Sequence, residues 1–269
     1  MNNLDEQYKG LLGTVLFGGK VKGDRTGTGT LSVFGRTIRH RMTDGFPILT
    51  TKRVAFKTMN TELKWFCKGD TKIQYLQDND CHIWDGDYEK AGSPESGDLG
   101  PIYGAQWRRA TAFGGSVDQL YNLVRDLKQN PDSRRHIVNS WNLGELKYMV
   151  LPPCHYSFQC YVVDGELSLM WQQRSADLFL GVPFNISSYG LLLLLLCEET
   201  GYKPGELIGN LGDVHLYSNH VEQAKLQLER DAFELPTAKL SNVDLLNGEW
   251  DVELENYQYH PAIKAPLSN

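Results

Sequence analysis

An α+β fold built round a large sheet is what this sequence predicts, on three observations. Val117, Leu120, Leu123, Val124 and Leu127 recur at helical spacing, so that stretch is an amphipathic helix. The runs SFQCYVV and LSLMW flank Asp164-Gly165, a pair suited to the positive φ angles of a two-residue hairpin turn. Helical and strand patterns follow one another without strict alternation, which sets the chain apart from a regular series of βαβ units.

In chain order, a helix comes first, because Leu4, Tyr8, Leu11, Leu12, Val15 and Leu16 fall on one helical face, and Gly18 and Gly19 end it. TLSVFGRTIRHRM is rich in β-branched and apolar residues and is expected to be a strand. A second helix is expected over Lys57 to Cys67. The segment Trp84 to Gly100 combines Gly, Pro, Ser and acids with little periodicity and is expected to be a long surface loop. Ser116 and Gln119 make a capping box ahead of the apolar stripe, and that helix stops at Asn130 because Pro131 follows. Beyond the hairpin, helices return over Ser187 to Glu199 and Asn219 to Glu229. No repeat, low-complexity tract or linker interrupts residues 1–269, which read as a single domain.

The formal net charge of −6 gives no general attraction to nucleic acid or anionic membranes, so an anion must be held by a local group of arginines. Five cysteines, an odd number with no CxxC pair, argue against a disulfide framework and against a zinc knuckle. Reduced thiols in a cytoplasm, and no metal, are the expectation. No targeting pattern opens the chain, and Leu191 to Leu196 is far shorter than the ~20 apolar residues of a membrane span.

Several residues stand out as chemistry. GDRTGTGT resembles a phosphate loop, yet Ser32 falls where GxGxxG needs its third glycine and the run precedes a strand; a turn that presents Arg25 is the alternative. Arg134 and Arg135 follow a helix, and Arg174 precedes Ser175; a guanidinium grips phosphate by two parallel bonds, although surface arginines are commonly just solvated. In LPPCH, Cys154 is either a nucleophile or an inert buried thiol. His155 is a poor base for it, since consecutive residues on a strand point to opposite faces. Simple hairpin register sets Cys154 opposite Ser175 and Arg174 on the other face; a one-residue bulge would bring Arg174 to the sulfur and favour its thiolate. Glu62 lies among apolar neighbours in TELKWF, where a carboxyl pKa would rise, or is an ordinary helix acid. Asn185 in GVPFN offers a donor and an acceptor to a base edge, or merely forms a turn. His215 and Tyr217 share a face if their segment is extended.

DRTGTGT, GFPILTTKR, ELKWF, HIWD, GDLGPIYGAQWR, PDSRRHIV, LPPCH, QQRSADLFLGVPFN, GDVHLYSNHVEQ and HPAIKAP together resemble the folate-dependent, cysteine-using thymidylate synthases and the related dUMP and dCMP hydroxymethylases. The resemblance spans nearly the whole chain. It implies a three-layer fold whose large mixed sheet forms a homodimer face. It also implies that Cys154 attacks C6 of dUMP, so that C5 captures the one-carbon unit of 5,10-methylenetetrahydrofolate. By the same resemblance Glu62, through water, and Tyr103 move protons, and Arg25, Arg174 and Ser175 hold the 5′-phosphate with Arg134 and Arg135 of a second subunit. His215 and Tyr217 would bind the sugar hydroxyl, and Trp84, Leu151 and Asp177 the pterin. Asn185 complements uracil, whereas by the same resemblance the dCMP hydroxymethylases carry Asp at this position, so a uracil substrate is expected.

The chain departs from that pattern at its end, where Asn269 replaces a small apolar residue of the tail that closes over folate. Asp87 stands where many members carry Trp, Ala55 where a His is common, and Gln172 where a Tyr is common. Two outcomes therefore stay open. Hydride from tetrahydrofolate gives dTMP and dihydrofolate; water gives 5-hydroxymethyl-dUMP. A catalytically silent nucleotide- or RNA-binding regulator of the same fold is the third alternative, disfavoured by the intact Cys154, Arg174 and Asn185.

Overall fold

The computed structural model describes residues 2–267. Helix α1 (Asn3–Gly18) is capped by Asn2, which accepts from Asp5 N–H, and leads into β1 (Lys20–Lys22) and β2 (Thr30–Arg41). Helices α2 (Phe56–Lys68), α3 (Ile73–Asp78), α4 (Asp85–Lys90) and α5 (Tyr103–Arg109) follow. A small hairpin, β3 (Ala110–Ala112) and β4 (Gly115–Val117), precedes α6 (Gln119–Gln129) and β5 (Ile137–Asn139). The long hairpin is β6 (His155–Val163) and β7 (Glu166–Asp177); then come α7 (Gly181–Thr200), β8 (Lys203–Tyr217) and α8 (Val221–Leu228). The hairpin β9 (Thr237–Asp244) and β10 (Glu249–Glu255) completes the elements.

Six strands form one mixed sheet in the order β1-β2-β8-β7-β6-β5, and β7 and β8 are its parallel pair. A parallel pair needs a crossover, and α7 supplies it. Helices α1 and α7 lie on the sheet and α2 packs on α7 and α5, giving sheet, helix and helix layers. The α+β expectation and its large mixed sheet are met. Helix α7 is long and apolar enough to cross a membrane, yet its most apolar window is 78% buried in this core. On the sheet face away from these helices, Tyr161 and Val163 are exposed and Met170 and Ile208 half-buried.

Several local expectations need correction. The segment from Trp84 contains α4, a six-residue helix too short to leave a periodic signature. The cap of α6 is Asp118, whose carboxylate accepts from Tyr121 N–H, while Ser116 and Val117, the first residue of the expected stripe, belong to β4; an acid directly before the helix outcompetes the more distant serine. Helix α7 begins six residues before Ser187, because Pro183 is tolerated in a first turn. The last helix starts after a tight turn over Ser218–His220.

Candidate active site

The hairpin turn forms at Asp164 and Gly165, both with positive φ, and its register runs undisturbed from Val163↔Glu166 to Ser157↔Gln172. Tyr156 is then an extra residue, and His155 pairs with Gln173. This bulge moves Cys154 opposite Arg174, whose N–H donates to the Cys154 carbonyl at 2.9 Å. The guanidinium ends on the backbone: Nε donates to Pro153 O and Nη2 to Pro152 O, each at 2.9 Å. Its charge and the Ser175 hydroxyl draw the thiol pKa down, but burial outweighs both and leaves it raised, so the expected gain in thiolate is not realised in the resting site.

Cys154 opens into a cavity of about 830 Å³. Arg25, Glu62, Trp84, Tyr103, Leu151, Arg174, Ser175, Asp177, Asn185, His215 and Tyr217 line it as well, from segments spread over most of the chain. Arg134 and Arg135 do not; both are exposed on the stretch between α6 and β5, outside this cavity. Asn269 lies outside the described residues.

Each lining group has a defined physical state. Glu62 is buried on α2 and accepts from the Trp84 indole N–H at 2.7 Å; burial nevertheless raises its carboxyl from 4.5 to about 7, so it exchanges a proton near neutrality. The Tyr103 hydroxyl accepts from Cys154 N–H at 2.8 Å, and burial keeps it a neutral phenol. His155 turns away from the thiol, bonds the Tyr189 hydroxyl at 2.8 Å and stacks on Tyr103; burial pushes it down to about 3, which rules out a base at neutral pH. His215 and Tyr217 do share a face of β8 and meet edge to face at 5.3 Å.

The Asn185 amide has only one orientation available. The Trp171 indole N–H can only donate, and it donates to Gln173 Oε1 at 3.1 Å. Gln173 Nε2 must therefore face Asn185, donating to its Oδ1 at 3.0 Å. The Asn185 NH₂ is left for the cavity, with one Oδ1 lone pair to spare. Trp171 is held flat by Tyr189, stacked at 5.3 Å, and by Gly209, where a Cβ would come within 2.3 Å of the ring.

Sequence reasoning misses Lys52 and Gln173. Lys52 is a buried cation bound to Phe179 O and seated 3.5 Å over the Phe179 ring, and burial lowers it to about 7 despite nearby Asp177. Asp177 accepts from Phe179 and Leu180 N–H at the start of α7. A lysine amid the apolar run FPILTTKR is the only sequence signal for the first; Gln173 carries none. Asp24 pre-shapes the arginine loop, accepting from Thr26 N–H and Gly29 N–H at 2.7 and 2.6 Å, and so confirms a turn rather than a dinucleotide loop.

A thiol, a carboxyl poised near neutrality, a neutral phenol and an oriented amide on one cavity suit covalent addition to a pyrimidine ring followed by proton movement. The family described as thymidylate synthase matches residues 6–269, so this chain belongs to the thymidylate synthase family, whose members transfer a folate-borne one-carbon unit to C5 of dUMP.

Proposed function

We propose that the protein reductively methylates dUMP to dTMP, with 5,10-methylenetetrahydrofolate as one-carbon and hydride donor. The observation that supports this reading is the approach of the tail to the cavity: Ile263 and Leu267 line it, and Leu267, 62% exposed, offers an apolar surface that would limit the entry of bulk water in the last step once folate fills the site. Backbone bonds between Arg53 and His260 and between His260 and Thr50, each 2.8 Å, tie that tail down.

In this mechanism Cys154 gives its proton to water in the cavity and attacks C6 as the thiolate, with the Arg174 charge favouring that form. The Asn185 NH₂ donates to O4, where negative charge develops, while Oδ1 takes N3–H. Cytosine presents an NH₂ in place of O4 and would meet the Asn185 donor head-on. C5 then takes the one-carbon unit, and Glu62 and Tyr103 remove the C5 proton through water. Arg25, Arg174 and Ser175 hold the phosphate, His215 and Tyr217 the sugar hydroxyl, and Trp84, Leu151 and Asp177 the pterin. Arg134 and Arg135 serve the same phosphate from a second copy, with the uncovered sheet face as the homodimer contact.

The second reading, 5-hydroxymethylation of dUMP, is favoured by Asp87, a carboxyl on the cavity wall. Mixing the protein with both substrates distinguishes them. Dihydrofolate formed in step with dTMP is expected; 5-hydroxymethyl-dUMP without dihydrofolate would replace the first reading by the second.

A further inference from the structure

Among the described residues, five acids line the cavity: Asp24, Glu62, Asp87, Asp177 and Asp213. Four are committed to the chain. Asp24 holds its own loop, Glu62 takes the Trp84 indole, Asp177 takes two amides of the α7 turn, and Asp213 takes the Ser32 hydroxyl at 2.6 Å and pairs with Lys22. Asp87 has no side-chain hydrogen bond and no ion pair among the described residues. It is half-buried, one turn of α4 beyond Trp84, with Arg25 and Lys90 near enough to attract it but not to touch it. Its carboxylate takes no donor from the protein and is not among the fully buried atoms left without a partner, so its donors come from the water and ligands that fill the cavity.

Those contents narrow the choice. The nucleotide phosphate and the folate carboxylates are anions that a carboxylate repels, which leaves a neutral donor. Asp87 and Cys154 line the same cavity, and the Asp87 charge opposes ionisation of the thiol, so both border the space that a ring bound to Cys154 would enter. Ala55, whose side chain is a single methyl, lines the same cavity and fills little of it.

We infer that Asp87 is a specificity-determining residue that holds a water molecule against the exocyclic methylene on C5 and sets the share of turnovers ending in hydration. This rests on the proposed one-carbon transfer to dUMP. In the hydration step the water oxygen bonds to the methylene carbon and its proton passes to the Asp87 carboxylate. The methylene electron pair moves through C5 onto O4; its return restores the C5–C6 double bond and expels the Cys154 thiolate. The product is 5-hydroxymethyl-dUMP, and tetrahydrofolate leaves unoxidised. Hydride transfer to the same carbon gives dTMP and dihydrofolate instead. Burial raises the Asp87 pKa, which makes its carboxylate a better proton acceptor.

The test uses dUMP carrying tritium at C5, with each nucleotide product normalised to tritium released, in water enriched in heavy oxygen. The full-length protein is expected to place heavy oxygen in a measurable 5-hydroxymethyl-dUMP fraction. Asp87→Asn, which keeps the shape but takes no proton, should lower the ratio of hydroxymethyl product to dTMP by about tenfold or more, and Asp87→Leu should abolish that product. An unchanged ratio in both variants overturns the inference. So does a dTMP-only wild type, or a variant whose sole change is a raised KM for folate, the mark of a pterin contact. Absence of tritium release from the wild-type protein overturns the parent reading, and the inference with it.

Discussion

Glu62 shows how one buried carboxyl ties stability to function. In the unfolded chain it ionises near 4.5, whereas the folded protein keeps its proton up to about 7. The folded state thus binds the extra proton between these values, and the fold loses stability as pH rises through that window, by about 3 kcal/mol in all. Glu62→Gln removes the loss. Its unfolding free energy should exceed that of the wild type by up to about 3 kcal/mol near pH 8 and match it near pH 4, as measured by urea titration. The same variant should turn over at least ~100-fold more slowly, because an amide carries no proton for the ring. Cys154→Ser should bind nucleotide yet release no tritium from C5-labelled dUMP; a regulator of this fold would be indifferent to the change.

At the scale of elements, the strand pair β7 and β8 orients the Asn185 amide proposed to read the base. Gly209 admits the Trp171 ring, Trp171 orients Gln173, and Gln173 orients Asn185. Gly209→Ala should cost about 1–3 kcal/mol, read from its urea midpoint, since the new methyl meets a ring that cannot yield. Trp171→Phe keeps much of the packing but frees the Gln173 amide to turn, so the ratio of kcat/KM for dUMP over dCMP should fall by about tenfold. Much of this level was legible beforehand. The helical stripes of α1 and α6 and the Asp164-Gly165 turn are local signals, and residues within a few positions decide them. Helix α4 was not, because a one-turn helix has no period; a bulge before Arg174 could be raised from the sequence as an alternative to simple register, but not placed at Tyr156, because it is fixed by the partner strand. The residues that line the cavity were legible where a motif marked them, but Arg134 and Arg135, equally marked, lie outside it. What bound them was not: Glu62 and Trp84 are linked across the α2 to α4 gap, and the Trp171 relay exists only once the sheet has formed.

The whole molecule couples its amino end to the cavity. Asp5, buried in α1, accepts from the backbone and hydroxyls of Thr50 and Thr51, immediately before Lys52 and Arg53 on the cavity wall. Asp5→Ala should cost about 3 kcal/mol, because several buried donors lose a charged acceptor together, and should raise the KM for folate more than that for dUMP. Chemical unfolding and steady-state kinetics would check the two halves. The prolines before Cys154 carry a different consequence. Pro152 and Pro153 have no N–H, so β6 cannot zip past the cysteine, and their free carbonyls are taken up by Arg174. The thiol therefore sits on the last tooth of the sheet rather than within it. The covalent bond proposed there would load only the pinned end of the strand, held by Tyr103 and Arg174, and the ladder behind it need not breathe.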